Sequence, residues 1–249
     1  MSGHSKWSQI KRQKGVTDAK RGQLFTKLGK EISVAVRQGG SDPQANSRLR
    51  LAVQRARDNN MPLENIERAI KRAAGSSDAG TLAEVTLEGY GPGGSAILLQ
   101  ALTDNRNRTL SEVRNIFSRG SVSLGESGCV SWIFEPKGVI TVEVNNVDAE
   151  ELALFAIDAG ADDVKIDEAT VEIHTQPEDM EEVRRVLEEK GIEISAAELL
   201  RVPKTMIRLD EKSALQSLKL LDKLEELDDV QHVFTNADFP DEVVENYQG

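Results

Sequence analysis

The chain has 249 residues, of which 39% are hydrophobic, 4% aromatic and 29% charged, and a formal net charge of −11. That length suits about two or three small domains with aliphatic cores. No apolar run approaches the ~18 residues of a membrane span, and the lone Cys129 excludes an internal disulfide.

With no apolar secretory stretch at its front, the chain reads as a cytoplasmic protein. His4, His174 and His232 lie far apart, none with a cysteine at ligand spacing, so neither a metal nor another cofactor is expected. Net charge conceals an asymmetry. Residues 1–75 hold 16 Lys/Arg against 6 Asp/Glu, whereas residues 76–249 hold 15 against 36. Such a sign change predicts a polyanion-binding module joined to acidic domains.

The chain opens with a basic arm. Lys6, Lys11, Arg12, Lys14, Lys20, Arg21 and Lys27 crowd into it, and Trp7 lies among them. An exposed indole there can stack on a base while the cations hold phosphates; the competing reading docks Trp7 on the helical domain. From Thr17 to Gln38 the period is helical: Leu24, Phe25, Leu28, Ile32, Ala35 and Val36 share one arc, and Lys20, Lys27, Lys30 and Arg37 another. Gly39-Gly40 stops this helix. Asp42-Pro43 then opens a second, with Leu49, Val53 and Ala56 toward the core and Arg48, Arg55 and Arg57 elsewhere. After the turn Asn59–Pro62, Ile66, Ala69, Ile70 and Ala73 mark a third. Residues 75–80 are a linker by composition.

Beyond the linker, short strands alternate with helices. Strands are expected at 85–87 and 96–102, then a helix at 109–118 opened by a capping box of Thr109 and Glu112. Strands at 130–134 and 139–144 are expected on either side of a turn, Glu135-Pro136-Lys137-Gly138. Next come a helix near 148–159, strands near 163–166 and 170–175, a helix near 177–190 and a strand near 196–201. The last stretch reads as a strand at 206–209, a helix at 212–227 with Leu215, Leu218, Leu221 and Leu224 on its core face, and a strand at 230–234.

Residues 139–201 thus spell β-α-β-β-α-β, the split βαβ or ferredoxin-like order. The flanking pieces make a second such unit with 83–88 as an extra strand. The expected fold is multi-domain α and α+β: a helical basic domain at 1–80, a discontinuous α+β domain of 81–135 plus 204–249, and an inserted ferredoxin-like α+β domain at 136–203.

Two motifs bear on binding. Gly89-Tyr90-Gly91-Pro92-Gly93-Gly94 fits the pattern G-x-G-x-x-G, but a strand rather than a helix follows it. It therefore reads as a tight connection and not a dinucleotide loop. In Asp104-Asn105-Arg106-Asn107-Arg108-Thr109, two arginines precede a helix N-terminus. The helix dipole disfavours cations there, so Arg106 and Arg108 form a candidate secondary anion site, against the alternative of a solvated turn. Carboxylate runs such as 178–182 and 225–229 read as solvated helix faces and ends, and no catalytic constellation stands out.

The stretches GHSKW (3–7), DAKRGQLFTKL (18–28), NSRLRLAVQRARDNNMP (46–62), EGYGPGG (88–94), DNRNRTLSEVRNIF (104–117) and LGESGCVSWIFE (124–135) together resemble the YebC/PmpR family, which includes mitochondrial translational activators of cytochrome oxidase. The resemblance spans essentially the whole chain. It implies three domains, the first helical and two α+β, and a cytoplasmic, non-enzymatic regulator of gene expression. Two positions depart from it. Ser121 follows Gly120 where the family usually has a second glycine, and Gly15 stands where alanine is more usual.

The expected partner is nucleic acid, either DNA or a structured RNA such as the ribosome's, with no membrane and no small-molecule substrate. The family's naming points to a DNA-binding transcriptional regulator, and its mitochondrial branch to a ribosome-associated translation factor binding rRNA or tRNA. The contact set is Lys6, Trp7, Lys11, Arg12, Lys14, Lys20, Arg21, Lys27 and Lys30, with Arg106 and Arg108 as the secondary anion site.

Overall fold

The structure, a computed structural model, describes residues 18–75, 82–144, 148–167 and 170–247. Three helices come first: α1 (Asp18–Gly39), α2 (Ser47–Asp58) and α3 (Leu63–Gly75). Their apolar stripes close one core containing Leu28, Ile32, Leu49, Val53, Ala56 and Ile66. Helix α2 starts at Ser47 rather than at Asp42-Pro43, because Asn46 is the cap. The buried Asn46 side chain accepts from Leu49 N (3.0 Å) and donates to Ala35 O and Gly40 O (2.8 Å each). One amide thus serves a helix start and the preceding helix end.

Two antiparallel sheets follow. The first comprises β1 (Ala83–Tyr90), β2 (Ala96–Thr103), β3 (Ser123–Leu124) and β9 (Val230–Thr235), in the order β3-β1-β2-β9. Strand β1, expected as an extra, pairs with β2 over eight residues. The glycine-rich connection between them forms a short 3-10 turn at Pro92–Gly94, with Gly93 and Gly94 at φ +68° and +77°. Helix α4 (Arg106–Arg119) and helix α7 (Glu211–Glu225) supply Val113, Phe117, Leu218, Leu221 and Leu224 to this sheet's core.

The second sheet has the order β5-β6-β4-β7, from β4 (Phe134–Glu143), β5 (Asp163–Ile166), β6 (Thr170–Thr175) and β7 (Ile194–Pro203), every pairing antiparallel. Its core takes Leu152 and Ala156 from helix α5 (Ala149–Asp158), and Met180, Val183 and Leu187 from α6 (Met180–Glu189). A fourth cluster, including Leu98, Phe134, Val139, Val202 and Phe234, joins the two sheets.

Several expected elements differ. Residues 131–133 form a 3-10 turn, and the turn expected at 135–138 lies inside β4. Strand β7 flanks β4 from Phe134 onward, but β6 begins pairing only at Gly138. Pro136 therefore lies where one side of β4 has no partner strand, which spares a ladder bond. Gly138 is required by close approach: an added Cβ would lie 2.4 Å from Thr175 Oγ1 and 2.6 Å from Met180 Cβ.

The strand expected at 206–209 shortens to β8 (Ile207–Arg208). It pairs in parallel with β10 (Ala237–Asp238) outside both four-stranded sheets. Strands β3 and β10 and a final helix, α8 (Asp241–Asn246), had no clear signal. Leu215 is 40% exposed while Leu218, Leu221 and Leu224 are buried. Steps of three residues fall about 60° short of a helical turn, so a run of them drifts off the core face.

Candidate nucleic-acid interface

Of the expected contact residues, Lys6, Trp7, Lys11, Arg12 and Lys14 lie outside the described residues. Lys20 and Arg21 are exposed on the first turn of α1. The other two expected contacts on that helix, Lys27 and Lys30, do something else. Lys27 Nζ donates to Glu225 O (2.5 Å), and Lys30 Nζ donates to Asp228 O (3.0 Å) and pairs with Asp229 Oδ1 (2.6 Å). Gln23, between them and the arm, donates to Glu226 O and to Asp228 Oδ1 (3.1 Å). This polar face of α1 docks on the acidic segment 225–229, which therefore is not merely a solvated helix end. Lys27 and Lys30 are held by protein rather than displayed.

Asp229 also corrects the reading of Arg106 and Arg108. Helix α4 begins at Arg106, three residues earlier than the capping box implied, because Asn105 accepts from Arg108 N (3.1 Å) and is the cap. Thr109 is buried inside the first turn. Its hydroxyl and that of Thr103 reach Asp229 Oδ2 at 2.7 and 3.0 Å. Arg108 Nη2 pairs with the same oxygen at 2.9 Å and with Asp104 at 2.8 Å. The anion at this helix N-terminus is thus the protein's own carboxylate. Burial pushes that carboxyl up, but the hydrogen bonds from Arg108, Lys30, Thr109 and Thr103 prevail and hold it well below the usual range. Arg106 is exposed and reaches only Glu84 O, at 3.4 Å.

A second ionic cluster joins the three units at a cleft of about 500 Å³, whose lining includes Arg48, Arg55, Glu84, Glu198, Arg201 and His232. Arg55, on α2, pairs with Glu31 of α1 (2.8 Å) and Glu198 of β7 (2.6 Å). Its Nη1 also lies 3.1 Å from His232 Nε2 on β9. Guanidinium only donates, so His232 must present an unprotonated Nε2. Arg48 pairs with Glu84 of β1 at 2.8 Å. The cleft's arginines on α2 are thus already matched to glutamates.

On the exposed face of α3, Glu64 and Glu67 mix with Arg68, Lys71 and Arg72. Among the described residues, no three His, Cys, Asp or Glu side chains group to hold a metal ion. No helix there is long and apolar enough to cross a membrane.

The comparisons agree along the whole length. A probable transcriptional regulatory protein of Dehalococcoides mccartyi is 60% identical over 247 residues, covering 99% of this chain and 98% of its own. Another, from Chloroflexus aggregans, is 54% identical over 250 residues and covers 99% of both chains. The crystal structure of a conserved hypothetical protein from Aquifex aeolicus superposes with a TM-score of 0.84 at 49% identity, covering 90% of this chain and 92% of that one. Residues 5–76 match the TACO1/YebC protein N-terminal domain and residues 82–237 the TACO1/YebC second and third domain, and the chain belongs to that family.

Proposed function

We propose that this protein is a non-enzymatic, cytoplasmic regulator of gene expression that binds nucleic acid through its N-terminal basic segment. The observation that carries this reading is the charge split, 16 Lys/Arg against 6 Asp/Glu up to residue 75 and 15 against 36 beyond it. The names of the relatives, probable transcriptional regulatory proteins, support the regulatory part. Lys27 and Lys30 are held by the 225–229 segment; the phosphate contacts in this reading are Lys6, Lys11, Arg12, Lys14, Lys20 and Arg21, with Trp7 stacking. Arg106 remains a secondary contact. In this reading residues 136–203 are an inserted split βαβ unit. Its entry and exit lie together, with Lys204 N donating to Ile133 O at 2.9 Å.

A structured RNA, as on a ribosome, is favoured over duplex DNA by one feature. The exposed face of α3 mixes acids with bases, which suits major-groove readout poorly.

The test is full-chain protein with Lys11, Arg12 and Lys14 all changed to alanine, measured on promoter DNA and in ribosome co-sedimentation at matched salt. Affinity should fall for every sequence, and the log–log salt slope by about two to three. Unchanged affinity and slope would remove the arm from the interface. Wild-type binding to DNA with no ribosome association would restore the DNA reading.

A further inference from the structure

His232 enters the junction of the three units in a form that one protonation state allows. Its Nε2, on β9, lies 3.1 Å from Arg55 Nη1, on α2. Guanidinium nitrogens only donate, so Nε2 supplies the lone pair and the ring proton sits on Nδ1. An imidazolium carries N–H at both nitrogens. A proton on Nε2 would meet the Arg55 N–H head-on and set two cations at contact distance. The contact and the proton exclude each other.

Neither partner can turn aside freely. The His232 ring is stacked on Phe234, with 5.6 Å between centroids and 7° between planes. Flipping the ring within that plane brings Cε1 to Arg55 in place of Nε2, and carbon accepts nothing. Arg55 is tied at the same time to Glu31 of α1 (2.8 Å) and Glu198 of β7 (2.6 Å). The charged groups around the cleft besides His232 are Glu31, Arg48, Arg55, Glu84, Glu198 and Arg201, with Arg48 engaged by Glu84. A protonated His232 is thus repelled by Arg55 and drawn to the carboxylates that Arg55 holds. Glu198 matters most. Paired with Arg55 it joins α2 to β7; paired with His232 it would join β7 to β9, which already touch, and leave α2 out.

We infer that Arg55 and His232 form an acid-sensitive latch, closed while His232 is neutral and released by a proton on its Nε2, which loosens α2 from β7 and β9. Release is local, because the Lys30–Asp229 and Arg48–Glu84 pairs remain. The open and unfolded forms take up a proton that the closed form excludes. The latch is therefore complete above the ordinary histidine range and weakens as pH falls through ~6.5. It stands independently of what the protein binds.

The test is amide exchange of the full chain at pH 7.5 and 5.5, read in the 47–58 peptide and normalised to the same peptide in denaturant. Wild type is compared with His232→Gln, which keeps an acceptor and takes up no proton, and with His174→Gln. His174 is the other histidine among the described residues, buried with its Nε2 3.6 Å from Glu172. One excluded proton, one pH unit below ~6.5, weakens the closed form by up to about tenfold. Protection of 47–58 should fall to that extent in wild type and in His174→Gln, and hold in His232→Gln.

An equal fall in wild type and His232→Gln, or none in any chain, overturns the latch. A fall abolished by His174→Gln but kept in His232→Gln assigns the acid response to the His174–Glu172 pair and refutes the proposal. Should His232→Gln fail to fold, proton NMR of the wild-type histidines decides, with His4→Gln and His174→Gln identifying the remaining signal. A His232 signal that titrates at or above pH ~6.5 shows that the closed form accepts the proton, and the latch falls; a signal that moves only below that pH supports it.

Discussion

Lys30 of the first helix and Asp229 near the end of the chain are joined by a 2.6 Å ion pair, with the Asp229 side chain only 6% exposed. Arg108, Thr103 and Thr109 complete the ring of donors around that carboxylate. The contact fastens the basic helical segment to the acidic remainder at a carboxylate that also occupies the start of α4.

Asp229→Asn keeps the shape and removes the charge. Stripping one partner from a buried pair leaves the others uncompensated, so a loss of about 3 kcal/mol at neutral pH is expected. The folded-state pKa of Asp229 is depressed, so its contribution is complete above the unfolded aspartate value near ~3.9 and is lost as pH falls through the folded value. Chemical denaturation from pH 7 downward should show the gap between wild type and variant steady until about pH 4, then narrowing. A gap independent of pH would mean that the charge contributes nothing.

Arg55→Met should uncouple the units. Arg55 ties α1, β7 and β9 together through Glu31, Glu198 and His232. Without it two half-buried glutamates face each other, a cost of about 3 kcal/mol. Calorimetry should then resolve a separate lower-temperature transition for the helical segment. A single transition at the wild-type temperature would show that the apolar contacts suffice.

Glu88→Gln should loosen the loop that carries Trp132. Its buried carboxylate accepts the backbone N–H groups of Gly128, Val130 and Ser131. Burial raises its pKa and those bonds lower it, the bonds prevailing. An amide offers one acceptor oxygen for three donors, so a loss of about 2 kcal/mol is expected. Time-resolved anisotropy of Trp132 in the Trp7→Phe background should fall faster, and no change would show that the loop is held by other contacts.

Ser121→Gly should stabilise the protein. Ser121 adopts φ +56°, the left-handed region that glycine occupies without cost. It follows Gly120, the C-cap of α4. A gain of up to about 1 kcal/mol and a rise of a few degrees in Tm are expected. A lower Tm would mean that the hydroxyl contributes more than the strain costs.

The sequence by itself determined most of the local elements and the family. The period of Leu24, Leu28, Ile32 and Ala35 requires a helix whatever it packs against, and residues 163–175 show their two strands by alternation alone. Charge by segment is likewise a property of the chain, so the basic front was legible from composition.

Tertiary structure alone decided which charges remain available. Lys27 and Lys30 look like phosphate contacts on a helical wheel, yet their partners lie 198 and 199 residues away. The same holds for Arg108, whose anion is 121 residues distant. It holds also for Pro136 and Gly138, which signal a turn until β7 on one side and the late start of β6 on the other make them parts of one strand. Periodicity and turn chemistry arise from neighbours a few residues apart. Ion pairing and strand register depend on which distant segment arrives, and that is set by packing of the whole chain.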